Sequence, residues 1–373
     1  MPSGWLADRF GGVWLLTVSM TVESVLAVMI PAAAHLHVGA VIALRALAGV
    51  FDGIQCPTAI SLVANIAPST ERSRAVGFTM AGTSFGAIVG MLVAGVLCDH
   101  AGWPWVFYTF GLAGCAWAAA WVVVGRGYES SMRQQRAAVR VPRRHTPWRQ
   151  ILTSPQVWAC AAAYTANMWG FVTSLTCLPM YLSDVLGYSM TENGVLSMLP
   201  YVADGLMLVS SGQLADLMLR RAAGSRLSTG FIRKTFCISG LLASAVFIMI
   251  PSLLDCHRVP IIACLVASVG MIGFSMPTVA ANTMDLSPLD AGTLMGLTNT
   301  VSNAVSILAP QVVGALTYGR STYSQWTEIF AIVAAIDVVG AVLFIIFGSG
   351  RRQQWAAAID DLPTTDVHVP HKS

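Results

Sequence analysis

Charge is what this sequence has least of. Of its 373 residues only 10% are Asp, Glu, Lys or Arg, while 55% are hydrophobic. A water-soluble domain carries roughly 25% charged residues, so too few are present here to coat a soluble surface. Functional motifs are scarce as well. No glycine-rich nucleotide loop, HExxH pair or nucleophile elbow occurs. An enzyme reading therefore has no support, no cofactor is called for, and nothing points to nucleic acid. The eight cysteines contain no CxxC pair and no metal-ligand spacing. Most sit in apolar runs, as small buried hydrophobes do. The opening "MPSGWLADRF" has no basic segment followed by an apolar core, so it does not read as a signal peptide. No N-x-S/T acceptor marks a glycosylated loop.

What is there is apolar length. Ten segments reach the ~20 residues that cross a bilayer: 13–31, 38–64, 75–97, 104–124, 156–182, 193–214, 235–254, 259–284, 292–318 and 326–347. Lipid offers backbone groups no partners, so the spans are helices. Placing the first loop inside and alternating puts 18 of the 21 Lys and Arg on the inner side, with Arg258 and Arg320 outside and Arg45 within a span. That asymmetry is the positive-inside signature and sets both chain ends of the intact protein in the cytoplasm. The stretch 125–155 is Arg-rich and almost free of acids, and it reads as a cytoplasmic linker. It divides four spans (1–124) from six (156–350), and the polar tail 351–373 reads as disordered.

The two parts repeat one another. "SGWLAD" at 3–8 returns as "SGQLAD" at 211–216, and Pro57 and Pro68 return as Pro277 and Pro288, 220 residues on. Gly77 and Gly95 match Gly296 and Gly314 at an offset of 219. Such spacing is expected of two copies of one helical unit. In the second copy two spans precede the motif, and in the first copy none do. The expected fold class is therefore an all-α membrane protein of two pseudo-symmetric helical halves with ten transmembrane helices, four plus six, two helices short of symmetry.

The G-x-L-A-D-R-x-G loop, the two halves and the basic central linker resemble the major facilitator superfamily. "RALAGVFDGIQCP", "APSTERSRAVGF", "GWPWVFYTFG", "SMTENGVLSMLPY" and "AGTLMGLTNTVSNAVSILAP" are similar to its organic-anion branch of sialin, vesicular glutamate and phosphate carriers. The likeness runs over nearly all of 3–355. It implies alternating access around a midplane site, coupled to protons or sodium.

Arg45 stands mid-span, where an arginine costs at least about 2.5–3.5 kcal/mol unless it meets water or a partner. Its planar fork suits carboxylate or phosphate oxygens; a structural ion pair is the other reading. The resemblance places the family's substrate-binding arginine here. Asp52, seven residues on, shares its helix face two turns away and is suited to exchanging a proton. The family usually has Glu at this position, so the reach is one methylene shorter. Asp8, Arg9, Glu71, Arg72, Arg74 and Asp216 lie in the inner loops; the resemblance implies gate ion pairs, whereas plain positive-inside anchoring would also explain the arginines. Asn167, Tyr201, Asn299 and Asn303 are candidates to complete a substrate site, with Trp169 and Asp204 beside them; interhelical hydrogen bonding is the other reading. Glutamate carriers of the branch have an arginine near Asn167, and "TANMWGF" has none. Glu23 and Asp337 are single acids within spans that these arguments leave unassigned.

The expected function is secondary active transport of a small organic or phosphate anion by a monomer in the lipid bilayer of the plasma membrane, a lysosome or a vesicle. Its rivals are a non-transporting or regulatory truncated form of such a carrier, and a drug–proton antiporter, against which a cavity arginine would repel cationic drugs.

Overall fold

The computed structural model describes residues 2–10, 12–68, 70–138, 146–222, 228–254, 257–318 and 322–357. For residues 2, 8–10, 126–138, 190–191 and 222 only the course of the backbone is described. Every regular element in these residues is helical. The first half holds α1 (Pro2–Phe10), α2 (Gly12–Leu36), α3 (Val38–Ile66), α4 (Arg72–His100) and α5 (Pro104–Ala138). After the short α6 (Trp148–Thr153) the second half holds α7 (Pro155–Asp184), α8 (Met190–Leu196), α9 (Leu199–Ala222) and α10 (Thr229–Met249). It continues with α11 (Arg258–Leu286), α12 (Ala291–Ser306), α13 (Ala309–Leu316), α14 (Tyr323–Phe347) and the single turn α15 (Gln354–Ala357).

Eight segments among the described residues are long and apolar enough to cross a membrane. The two other expected spans are present but differ in kind. The segment at 156–182 is the 30-residue α7, whose buried residues include Asn167 and Thr173, so it serves as the central post of its half. The segment at 292–318 is broken into α12 and α13. Pro310 explains the break, because it cannot donate to the carbonyl four residues back and its ring crowds that turn. Pro200 interrupts the helix between α8 and α9 in the same way.

The expected disordered tail needs correction in part, and the expected linker holds helical segments. Helix α5 continues to Ala138 and α6 covers 148–153, so much of 125–155 is helical; residues 139–145 lie outside the described residues. Residues 351–357 pack against the bundle: the Gln353 N–H donates to the Leu286 carbonyl at 3.0 Å and Ala356 is buried. The rest of the tail, 358–373, lies outside the described residues.

Among the described residues two large cores hold the bundle, and a smaller cluster joins Ala215, Ile232 and Phe236. One large core belongs to the second half, where Tyr181 meets Trp326 at 5.0 Å and Phe330 at 5.3 Å between ring centroids. The other is a seam between halves, in which Ile60, Val76 and Ala81 pack with Val279, Met284 and Leu294. Along the seam α4 lies against α9, and α1 lies against α12. The repeat explains these two contacts as one. A Cβ at Gly212 would come 2.5 Å from the Ser73 carbonyl oxygen, and a Cβ at Gly4 would strike the carbonyl oxygen of Gly292. Gly4 and Gly212 are the glycines of the repeated Ser-Gly motif, and Ser73 and Gly292 match at the offset of 219. The motif's glycine is therefore required for backbone contact between halves.

Candidate functional site

Helix α3 carries the charged face. Arg45 and Asp52 are both exposed on it, two turns apart, on an open side of α3 and not in an enclosed cavity. The Arg45 guanidinium sits over the Phe107 ring of α5 at 5.3 Å, a cation–π contact that fixes its direction. From α2, Glu23 comes within electrostatic reach of both Asp52 and Arg45, and it accepts a short hydrogen bond from the Gln55 amide. One turn beyond Asp52, the Cys56 thiol lies 3.9 Å from the Tyr164 hydroxyl, which joins α3 to α7 of the other half. The site thus gathers one guanidinium and two carboxyls. Glu23 was left unassigned by the sequence; its signal was an acid 32 residues ahead of Gln55 in a neighbouring span, which spacing alone does not connect.

The remaining substrate candidates do not join this face. Asn167 is fully buried, donates to the Ala163 carbonyl at 3.0 Å and accepts from the Ser275 hydroxyl at 2.5 Å. Its place is in helix packing. Tyr201 is buried with its ring edge-on to Phe171 at 5.9 Å. Asn303 is exposed and donates to the carbonyl and side-chain oxygens of half-buried Asn299, at 2.9 and 3.0 Å. None of these hydrogen bonds reaches Arg45 or Asp52. Asp204, by contrast, crosses between halves: the Ser84 hydroxyl of α4 donates to its carboxyl at 2.5 Å, and both residues are buried.

The loop residues form a network at the end of the bundle that carries the basic connections. Asp216 accepts from the backbone N–H groups of Ser73 at 3.1 Å and Arg74 at 2.7 Å, so a carboxylate of one half caps a helix start of the other. Arg72 reaches Asp285 at 3.5 Å, and Arg233 reaches the same carboxyl at 2.8 Å. Arg233 also donates to the Ser73 hydroxyl, and Glu71 pairs with Arg74 at 3.0 Å and with Arg220 across the seam. Glu71, Arg72, Arg74 and Asp216 are therefore brought together, with Asp285, Arg233 and Arg220 added. The side chains of Asp8 and Arg9 lie outside the described residues. Arg233 is only 1% exposed, although sequence reasoning counted it merely as one inner-side charge. Among the described residues no group of His, Cys, Asp and Glu could hold a metal ion by number and placement.

Long apolar helices in two repeat-related halves, pinned together at one end by ion pairs, define a multi-pass integral membrane protein of the two-halved transporter type. The comparisons name the family. The model described as Major Facilitator Superfamily matches residues 1–310, and the chain belongs to that superfamily. It is 33% identical over 371 residues to sialin of Homo sapiens and to sialin of Ovis aries, covering 95% of this chain and 73% of each of those. It is 30% identical over 374 residues to vesicular glutamate transporter 2 of Homo sapiens, covering 95% of this chain and 63% of that one. These relatives are transporters and not enzymes. Among solved structures, the proton:xylose symporter XylE superposes with TM-score 0.68 at 15% identity, over 94% of this chain and 83% of that one. The Escherichia coli fucose:proton symporter FucP superposes with TM-score 0.62 at 11% identity, over 92% and 86%. At those identities they bear on the fold alone.

Proposed function

We propose that this protein is a cation-coupled carrier of small organic or phosphate anions. The observation that carries the reading is the charge count on the α3 face. Arg45 supplies one positive charge and Glu23 and Asp52 supply two carboxyls. With both ionised the face is net negative and repels an anion. An anion binds at the guanidinium favourably only when a cation, a proton or a sodium ion, neutralises a carboxyl at the same time. Anion and cation then bind as a pair, which is the requirement for symport. Similarity to sialin and to vesicular glutamate transporters supports a carboxylate-bearing solute. The network around Asp216 and Asp285 acts as the gate at the basic end, opening as the halves rock in alternating access. The carrier is a monomer whose basic end faces the cytoplasm, in a lysosomal, vesicular or plasma membrane.

The test is uptake of labelled sialic acid, glutamate and phosphate into liposomes containing the purified chain, under imposed proton or sodium gradients. Uptake of one of these anions that collapses with one gradient is the expected outcome. Anion uptake indifferent to both gradients overturns the coupling. Export of a lipophilic cation with no anion uptake favours the drug–proton antiporter.

A further inference from the structure

Asp337 is a buried acid that neither the α3 face nor the network at the basic end uses. It stands in the middle of α14 and is fully buried. Its carboxyl oxygens have no well-aligned hydrogen-bond partner, the Ser244 hydroxyl of α10 coming nearest. The Ser244 and Ser268 hydroxyls lie 3.2 Å apart, and Ser268 also donates to the Ser244 carbonyl at 3.1 Å. Ser268 in turn lines a small cavity of about 20 Å³, walled by Ile272, Phe330 and Val333. That space holds roughly one water molecule. A polar chain of Asp337, Ser244 and Ser268 thus runs from a closed carboxyl to a small void, inside an apolar half.

No neighbouring charge compensates the carboxyl. Helices α7 and α10 pack on α14, and α11 faces it across the cavity. The nearest titratable groups along those helices are Tyr164, Cys237 and Cys264. The basic residues of α10 are engaged elsewhere: Arg233 with Asp285, and Lys234 with the Ile345 carbonyl at 2.7 Å. Lys234 is ten residues from Ser244, about 15 Å along the helix. An uncompensated carboxylate in such a place costs several kcal/mol. A proton or cation taken up at the carboxyl removes that cost.

We infer that Asp337, with the Ser244 and Ser268 hydroxyls, is a binding site for one monovalent cation, separate from the α3 face. The cation is a proton on the carboxyl or an alkali ion held among these oxygens. The site is independent of which solute the protein carries, because none of its residues belongs to the charged face.

The experiment is the melting temperature of the full chain purified in detergent. One arm replaces sodium chloride with choline chloride at fixed pH; the other raises the pH in choline chloride. A ligand that binds the folded state stabilises it, so withdrawal lowers the melting temperature. An alkali site responds in the first arm and a proton site in the second. Asp337→Asn keeps the shape, removes the charge, and is expected to lose whichever response the wild type shows. Asp337→Ser serves where Asn fails to fold. Replacing both serines by alanine is expected to weaken the sodium response and to leave a proton response in place. A wild-type melting temperature flat in both arms overturns the inference. So does an Asp337 variant that keeps the full response.

Discussion

Helices α3 and α11 are the same element twice. Each is 29 residues long, and Val38–Ile66 maps onto Arg258–Leu286 at the offset of 220, with Pro57 on Pro277. Their chemistry is inverted. Mid-span, α3 carries Arg45 and Asp52, where α11 carries Leu265 and Ile272, both buried. At the basic end, α3 carries Asn65, whose amide merely bonds the Ser61 carbonyl of its own helix at 2.7 Å. There α11 carries Asp285, held by two arginines. Five residues of α3 are buried against eighteen of α11, which packs on α7, α9 and α10. Duplication kept the backbone and divided the labour between side chains.

Substitutions that exchange the two roles test this division. Leu265→Arg gives the mid-helix charge of α3 to α11. It buries an unpaired guanidinium and overfills a packed site, a cost on the order of 5 kcal/mol. No monodisperse folded protein is expected by size-exclusion chromatography in detergent. Asp285→Asn gives α11 a neutral end like that of α3. It strands the Arg233 guanidinium, which is 1% exposed, at a cost of roughly 3–5 kcal/mol. A lowered melting temperature is expected, with faster thiol labelling of a cysteine introduced at the basic end. Arg45→Leu gives α3 the apolar mid-span of α11. Because Arg45 is exposed, stability should stay within about 0.5 kcal/mol. Anion uptake should fall on the order of 100-fold, the value of a bidentate charged contact of about 3 kcal/mol. An uptake defect no larger than that of Arg221→Leu would remove Arg45 from the binding role. Asn65→Asp is the mildest exchange, at an exposed position; melting temperature and uptake should both be unchanged, since surface substitutions stay within about 0.5 kcal/mol.

Much of this was legible in the sequence because it is periodic. Apolar length marked the spans, and the offsets of 208, 219 and 220 aligned the halves closely enough to pair Gly4 with Gly212 and α3 with α11. Arg45 and Asp52 were legible because charge mid-span is expensive and so conspicuous. What was not legible depends on which helices touch. Arg233 and Asp285 lie 52 residues apart and meet only through the packing of α10 on α11. In the sequence, Arg233 is one of many inner-side arginines. Asn167 and Tyr201 looked like cavity residues because polar groups in spans can face water or a neighbouring helix, and periodicity does not say which. The breaks before Pro200 and Pro310 were hidden for a related reason: prolines such as Pro57 and Pro277 lie inside unbroken membrane helices.

The seam has a further property, best stated in the language of oligomers. A two-fold dimer uses an isologous interface, in which each subunit offers both members of a complementary pair. Here the first half offers the glycine at 4 and the carbonyl at 73, and the second offers the glycine at 212 and the carbonyl at 292. What looks like a joint between two unlike units is one handshake made twice by a single chain. A side chain added at one glycine spoils one grip and leaves its twin, while the apolar seam and the ion pairs between halves remain.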